Sequence, residues 1–242
     1  MNVDNIIIET TRACNMRCQH CLRGNPQRLS MSRTYLRQFI HSVDYLGTVT
    51  FSGGEPTLPS GLKVIEDFLD ICNWENKSVG GFYIVTNGLH WRSRFVDLLE
   101  RLWHRCEENE VSGVAISGDQ YHYDTGEHER NLFKWRLEEE LERRGIEMPI
   151  EIRGNIQNPI AQGRAKKWGH RTETPDIGIW RPGWEGDEIQ VFDIAVYLNC
   201  KGNIIRGCDF SYIDQDKPEN ILCHVSDFNE DTITELLEKE ES

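Results

Sequence analysis

A regular alternation of strand-like and helix-like segments over the first two-thirds of the chain constrains its fold more than any other sequence feature. Short apolar runs typical of buried strands alternate with longer segments whose apolar residues recur every three or four positions, as in amphipathic helices. Successive βα units of this kind predict a parallel sheet with right-handed crossovers. The predicted strands are residues 5–10, 48–52, 81–86, 113–117 and 149–156, and the predicted helices are residues 32–45, 61–73, 91–106 and 127–144.

The number of these units predicts an open or partial α/β barrel rather than a closed one. Five units end by residue 156, whereas a closed eight-stranded barrel typically needs about 250 residues. The predicted elements beyond the alternating part are a Trp-, Gly- and Pro-rich ordered loop at 166–187, a strand at 189–198, a turn, and an acidic helix at 227–242. We therefore predict a core domain over residues 1–165 and a C-terminal extension over residues 166–242.

The charge and hydropathy of the chain exclude several classes of function. Its 242 residues include 27 basic and 40 acidic side chains, which give a net charge of −13. A protein that binds duplex nucleic acid usually carries the opposite bias, so that function is disfavoured. No apolar run reaches the roughly 18 residues of a transmembrane helix, and the first strand lacks the features of a signal peptide. We expect a cytoplasmic protein, in which disulfides are uncommon.

Three of the eight cysteines, Cys14, Cys18 and Cys21, lie close together directly after the first predicted strand. Thiols this near in sequence would strain to form a disulfide, but they can readily surround a metal. Three thiolates can hold three irons of a cubane cluster and leave the fourth iron open to a small chelating molecule. A structural zinc site needs four ligands, and His20 would supply the fourth, so a zinc-stabilised binding module is the non-enzymatic alternative.

The triplet resembles the signature of the radical S-adenosylmethionine (SAM) superfamily, C-x3-C-x-Φ-C, in which Φ is usually aromatic and is His20 here. Residues 52–57, SGGEPT, follow the second strand and resemble the GGEP motif of the same family. The resemblance implies a partial (β/α)6-type barrel, a [4Fe-4S] cluster held by the three cysteines, and bound SAM. Such enzymes cleave SAM reductively and form a 5′-deoxyadenosyl radical that abstracts hydrogen from the substrate.

Further motifs resemble the peptide-modifying branch of this family. The sequence TNG follows the third strand, ISGD ends the fourth, and Arg130 lies where those relatives carry an arginine for the SAM carboxylate. Arg153 is a competing candidate for that role, and an exposed helix arginine is the alternative interpretation of Arg130. Residues 163–165, GRA, match a turn that follows a late strand in those relatives. The cofactor-binding residues implied by the resemblance are His20, Leu22, Gly53, Gly54, Glu55, Pro56, Thr86, Asn87, Ser117, Asp119 and Arg130.

Residues 197–212 resemble the hairpin that opens the C-terminal extension of peptide-modifying radical SAM enzymes. Extra cysteines hold auxiliary iron–sulfur clusters in those extensions, but here only Cys200, Cys208 and Cys223 remain. Together with His224, these three cysteines would bind a second iron–sulfur cluster. Alternatively, they are core thiols of a small hairpin. The sequence leaves both interpretations open.

Six arginines and no acidic residue lie between Glu9 and Asp44, which reverses the overall charge locally. This stretch would offset the negative charge of a thiolate-bound cluster and would dock an acidic electron donor such as flavodoxin or ferredoxin; ordinary solvated charge is the alternative. The resemblance favours a peptide or protein substrate. Activation of a glycyl-radical enzyme, or action on a small nucleoside-type molecule, remains an alternative.

Overall fold

The computed structural model describes residues 1–118, 126–154, 162–168, 181–185, 188–192, 196–205, 207–232 and 235. Its centre is a set of parallel strands, each paired with the next in chain order. The strands are β1 Asn2–Thr11, β2 Tyr45–Gly53, β3 Ser78–Thr86, β4 Gly113–Ser117 and β5 Ile150–Arg153. The helices between them are α1 Arg33–His41, α2 Pro59–Trp74, α3 Ser93–Arg105 and α4 Glu127–Arg143. The predicted alternation and parallel sheet are confirmed.

The first three strands each begin three residues before their predicted starts, and α1 ends at His41 rather than at residue 45, because Tyr45 begins β2. β3 begins three residues before the predicted start, and Gly80 and Gly81 lie inside it. A Cβ atom at Gly80 would lie 2.5 Å from the Tyr45 hydroxyl oxygen, so the tyrosine on β2 occupies the space that a side chain there would need. The glycines therefore allow close packing of neighbouring strands rather than ending the strand.

The four helices form one layer on one face of the sheet, because each contacts the next: α1 with α2, α2 with α3, and α3 with α4. The core between this layer and the sheet includes the fully buried Ile8, Phe51, Phe68 and Phe95. The rings of Phe51 and Phe68 meet edge to face at a centroid distance of 5.2 Å. Burial of each such side chain stabilises the fold by about 1.5–3 kcal/mol. Because successive side chains of a strand point to opposite faces of the sheet, Glu9 lies on the face opposite to that of Ile8.

Strands from the C-terminal part extend the sheet beyond β1 rather than beyond β5. They are β6 Arg181–Glu185, β7 Glu188–Phe192, β8 Val196–Leu198, β9 Asn203–Ile205 and β10 Ile221–His224. Both β7 and β8 pair in parallel with β1, and the hydrogen-bonded order is β10-β9-β8-β1-β2-β3-β4-β5. Among the described strands β5 pairs only with β4, so the sheet does not close into a barrel. This agrees with the predicted partial barrel.

Two C-terminal elements differ from the prediction. The single strand expected at 189–198 is two strands, β7 and β8, and the loop expected at 166–187 contains β6. Asp119, residues 169–180 of that loop and most of the expected terminal helix lie outside the described residues. The division into two domains stays a prediction.

None of the helices in the described part of the chain combines the length and the apolar character required to cross a bilayer.

Candidate functional site

The predicted site segments meet at one edge of the sheet. The cysteine triplet follows β1, the diglycine turn ends β2, Thr86 ends β3 and Ser117 ends β4. Because these strands are parallel and adjacent, their carboxyl ends lie side by side, which is where open α/β sheets bind ligands. The structure therefore brings these motifs together as the sequence predicts.

The cysteine triplet lies in a loop that closes on its own base. The Arg12 amide donates to the Leu29 carbonyl (2.8 Å), and the Gln27 amide donates back to the Arg12 carbonyl (3.0 Å). Within the loop, the Cys21 amide donates to the Cys18 carbonyl at 3.2 Å. We call residues 12–24 the cluster loop. These bonds give the loop a defined shape from the backbone alone.

The Cys14 sulfur faces groups that favour its thiolate form and groups that oppose it. Burial raises the pKa of the Cys14 thiol, and the neighbouring Glu55 and Cys21 act in the same direction. The Met16 amide donates to Cys14 Sγ at 3.4 Å, and this bond and the charge of Arg164 lower the pKa. The protonated thiol is favoured in the bare protein, so a metal must displace a proton there.

The donor set of the cluster loop, three free thiols, matches the chemistry of a cluster with three protein ligands. Among the described residues, no three His, Cys, Asp or Glu side chains surround one ion position. A cubane binds each thiolate to a different iron, so its sulfurs lie farther apart than the ligands of one ion. A zinc site of the three cysteines and His20 would need one tight tetrahedron. The zinc-stabilised module stays the alternative prediction.

The diglycine turn packs directly on the backbone of the cluster loop. The Glu55 amide donates to the Ala13 carbonyl at 2.9 Å. A Cβ atom at Gly54 would lie 2.1 Å from the Ala13 oxygen, and one at Gly53, whose φ is +127°, would lie 2.4 Å from the Thr11 oxygen. The sequence predicts that these glycines let the backbone approach a ligand. The contact described is with the protein backbone, and their approach to SAM stays a prediction.

Glu55 joins the end of β2 to the end of β3. Its Oε1 accepts bonds from the Thr57 amide (2.9 Å) and the Thr86 hydroxyl (2.6 Å), and its Oε2 accepts from the Asn87 amide (2.8 Å). The side chain is 1% exposed. The sequence predicts that Glu55 binds an ammonium group. Among the described residues Oε2 has a single donor, so it retains acceptor capacity for that role, which stays a prediction.

Replacing Glu55 with glutamine is expected to lower the free energy of unfolding by about 1–3 kcal/mol, because an amide NH2 would face at least one of these buried donors. Urea denaturation of the protein without added metal measures this effect. The control is Glu139→Gln, since Glu139 is an exposed residue on α4. Equal stability of the two variants would contradict the bridging role of Glu55.

Asn87 connects the β3 turn to the cluster loop. Its Nδ2 donates to Asn15 Oδ1 at 2.8 Å and lies 4.0 Å from Cys14 Sγ, while its Oδ1 accepts from the Leu89 amide at 3.0 Å. Both the side chain and the backbone amide of Asn87 thus bind other loops of the rim. The TNG sequence therefore forms a turn and also connects the loops that follow β1 and β2.

The structure separates the two arginine candidates for the SAM carboxylate. Arg130 is 2% exposed, and a Cβ atom at Gly88 would lie 3.3 Å from its Cγ, so it packs beside the turn after β3. This burial excludes the interpretation of Arg130 as an exposed helix arginine. Arg153 pairs with Glu151 at 2.7 Å, lies 4.9 Å from the Tyr83 ring centroid, and its side chain is 62% exposed. Carboxylate binding by Arg130 stays a prediction.

The GRA turn supports the far end of the cluster loop. The Arg164 amide donates to the Cys21 carbonyl at 3.0 Å. A Cβ atom at Gly163, whose φ is +55°, would lie 2.2 Å from the Leu22 oxygen. In the sequence, this turn is recognisable only by its resemblance to the GRA turn of the family. Its contact with the cysteine loop joins residues about 140 positions apart, so no local pattern shows it.

Four of the six arginines in the basic stretch make internal contacts. Arg12 pairs with Glu9 at 2.7 Å, Arg37 pairs with Glu75 at 3.1 Å, and Arg33 pairs with Asp67. The Arg23 guanidinium donates to a backbone carbonyl at 2.6 Å. The remaining two, Arg17 and Arg28, are exposed, as are the paired Arg33 and Arg37. Because acidic partners offset the charges of Arg33 and Arg37, the net positive charge of this surface is smaller than the sequence suggests.

The three C-terminal cysteines lie in separate surroundings. Cys200 is buried and its Sγ donates to the Glu9 carbonyl at 3.2 Å, while Cys223 packs against the main core. Cys208 packs against a small second core formed by Tyr197, Ile205 and Phe210. Burial raises the pKa of all three thiols. These environments favour core thiols over ligands of a second cluster.

Cys72, Cys106 and Cys223 are expected to resist alkylation in the folded protein. Burial raises the pKa of each thiol to about 12, so only about one thiol in ten thousand is ionised at pH 8. Mass spectrometry after iodoacetamide treatment measures this, with the same protein in denaturant as the control. Rapid labelling of these three residues without unfolding would contradict the described core.

No family model matches the chain. A curated relative is the sporulation killing factor maturation protein SkfB of Bacillus subtilis (strain 168), 25% identical over 117 residues. The matched region is 47% of this chain but only 27% of the relative's length.

Among solved structures, the chain is similar to native anSMEcpe with bound AdoMet and Cp18Cys peptide, with a TM-score of 0.56 and 13% identity. That likeness covers 98% of this chain and 80% of the other, and it shows a shared fold. Streptococcus suis SuiB bound to precursor peptide SuiA has a TM-score of 0.40 at 13% identity, covering 89% of this chain and 61% of that one. The cysteine and diglycine motifs thus resemble those of the radical SAM superfamily and its peptide-modifying branch, and the shared fold and the sequence relative support that likeness.

Proposed function

We propose that this protein is a radical SAM enzyme that modifies a peptide or protein. One observation carries the proposal: the cysteine loop, the diglycine turn and the Thr86–Asn87 turn contact each other at the carboxyl edge of a parallel sheet. Three free thiols in the one loop that follows β1 suit a cluster with one open iron.

When bound, the cluster and SAM supply one-electron radical chemistry in which a hydrogen atom is taken from the substrate. The chain's own residues provide binding and orientation. Cys14, Cys18 and Cys21 would hold three irons, and Glu55 and Arg130 would offer an acceptor for the amino group and a cation for the carboxylate of SAM. The Glu55 contacts keep the loops after β2 and β3 at a set separation before any ligand binds.

The peptide or protein substrate is supported by likeness to proteins with that role. The curated relative is named as a maturation protein, and the solved structure with the shared fold contains a bound peptide. The chain spans about a quarter of that relative's length, so its substrate is proposed here from the likeness of this part alone.

Anaerobic reconstitution tests this function. With iron, sulfide and a strong reductant, the protein is expected to bind about four irons per chain and to convert SAM to methionine and 5′-deoxyadenosine. Incubation with candidate peptides, followed by mass spectrometry, then identifies the bond changed. Stoichiometric zinc with no iron would favour the binding module, and SAM cleavage stimulated only by a small molecule or a glycyl-radical enzyme would favour those alternatives.

We also propose that an acidic electron donor such as flavodoxin or ferredoxin docks at Arg17 and Arg28, two exposed arginines of the basic stretch. Opposite charges at such a surface mainly raise the association rate at low salt. Arg17→Glu combined with Arg28→Glu is expected to slow flavodoxin-supported SAM cleavage about tenfold at low salt. Cleavage driven by dithionite is expected to stay unchanged, and an equal loss with both reductants would contradict the docking surface.

A further inference from the structure

We propose that the C-terminal segment formed by residues 197–200 and 210–216 is a positioning clamp for the cluster loop, with Arg12 and Arg23 as its two anchors. The proposal deepens the proposed function and rests on it for the cluster that the loop holds. Arg12 lies two residues before the first cysteine of the triplet, and Arg23 lies two residues after the last. Both guanidinium groups end on this segment, which is called the clamp below.

Arg12 is fully buried, and its hydrogen bonds are complete only when the clamp is in place. Its Nε donates to Glu9 at 2.7 Å, and its two terminal nitrogens donate to Gln27, Gln215 and Asp216 at 2.9–3.4 Å. Five N–H groups therefore meet five acceptor contacts, and three of those contacts come from the clamp. The face of the Tyr212 ring lies 4.7 Å from the guanidinium carbon. Without the clamp, a buried cation would lose most of its partners.

Glu9, the partner of Arg12, is itself completed by the clamp. The Tyr197 hydroxyl donates to its Oε2 at 3.0 Å, and the Cys200 amide donates to its Oε1 at 3.1 Å. Both side chains of the ion pair are fully buried. The end of β1, from which the cluster loop starts, is therefore held by a closed polar network with residues nearly 200 positions away.

Arg23 fixes the other end of the loop to the same segment. Its guanidinium donates to the Phe210 carbonyl at 2.6 Å and lies 4.8 Å from the Tyr197 ring centroid. The Tyr212 amide donates to the Arg23 carbonyl at 3.1 Å. Tyr212 thus contacts both anchors, and Tyr197 contacts Arg23 and Glu9, the ion-pair partner of Arg12. One segment holds both flanks of the triplet.

Fixing both flanks has a direct consequence for three thiolates that must bind one inorganic core. A loop held at one end samples many arrangements, and each residue that becomes ordered on binding costs about 1–2 kcal/mol of conformational entropy. The clamp orders the loop before the cluster forms. It also gives the C-terminal hairpin a role that needs none of Cys200, Cys208 or Cys223 as a ligand.

Arg23→Ala is the first test, because Arg23 is only partly buried and its loss is compatible with folding. After anaerobic reconstitution of the full chain, this variant is expected to lose iron to a chelator about tenfold faster than the unaltered protein. Arg23→Lys keeps the charge and a hydrogen-bond donor. Its rate of iron loss is expected to lie between that of Arg23→Ala and that of the unaltered protein. The control is Arg136→Ala, which alters an exposed arginine on α4 and is expected to match the unaltered protein.

A second measurement separates failure of the clamp from failure of the proposed function. Hydrogen exchange of the protein without iron is expected to become faster in residues 12–24 of Arg23→Ala and to stay unchanged in α4. A purely global loss of stability would speed exchange in both regions and would contradict the positioning role. Unchanged exchange in residues 12–24 would overturn the clamp whether or not the protein binds iron. Unaltered protein that binds no iron, with faster loop exchange in the variant, would contradict the proposed function alone.

Discussion

Replacing Cys14, Cys18 and Cys21 together with alanine is expected to reduce bound iron from about four per chain to background and to abolish SAM cleavage. The reason is that these thiols are the proposed cluster ligands, and their loop is already shaped by its own backbone hydrogen bonds. Iron analysis, visible absorbance and quantification of 5′-deoxyadenosine after anaerobic reconstitution measure the effect. The circular dichroism spectrum is expected to stay unchanged, because the three side chains are not part of the hydrophobic core.

The matched control is the double substitution Cys208→Ser and Cys223→Ser, which changes two C-terminal thiols in separate environments. Cys200 is left intact because its backbone amide and its thiol both contact Glu9. We expect this variant to keep its iron and its SAM cleavage. A halving of bound iron would show a second cluster and would contradict the core-thiol interpretation. Iron retained by the triple alanine variant would contradict the proposed ligands.

Gly54→Ala is expected to disrupt the site through sterics alone. The added Cβ would lie 2.1 Å from the Ala13 oxygen and 2.9 Å from the Arg12 carbonyl carbon, and both neighbours are backbone atoms that no rotamer change can move. Overpacking of this kind costs about 1–3 kcal/mol, and here the strain falls on the loop that holds the triplet. We expect at least a severalfold loss of reconstituted iron together with a lower urea midpoint.

Gly207→Ala is the control for this substitution, since Gly207 is buried, whereas Gly54 is half-buried, and yet it has more space around it. A Cβ atom there would meet only the Phe210 ring, at 3.8 Å, which is an ordinary van der Waals distance. The variant is expected to match the unaltered protein in both iron content and stability. Equal behaviour of the two alanine variants would contradict the close contact between the diglycine turn and the cluster loop.

The central architecture could be predicted from the sequence because its signals are local. Apolar periodicity marks the strands and helices from β1 to β5, and parallel pairing then places the segments after β1, β2, β3 and β4 at one edge. The triplet and the GGEP-like turn are recognisable for the same reason, since each motif lies within a few residues. Local patterns therefore predict both the fold class and the region of the site.

The contacts that complete the site could not be predicted, because they join residues far apart in the chain. Glu55 accepts from the Asn87 amide 32 positions later, and Arg12 contacts Asp216 across 204 positions. The sequence assigned the glycines and Glu55 to a ligand, whereas each also serves the contacts between loops. The placement of β7 and β8 beside β1 depends on tertiary pairing that no periodicity shows.

Electron paramagnetic resonance of the reduced, reconstituted protein, recorded with and without SAM, tests the central claim most directly. A cluster that three thiolates bind has one iron available to the amino and carboxylate groups of SAM. The account predicts the signal of a one-electron-reduced [4Fe-4S] cluster that changes on addition of SAM. A signal that SAM leaves unchanged, or a protein that takes up zinc and no iron under the same conditions, would contradict it.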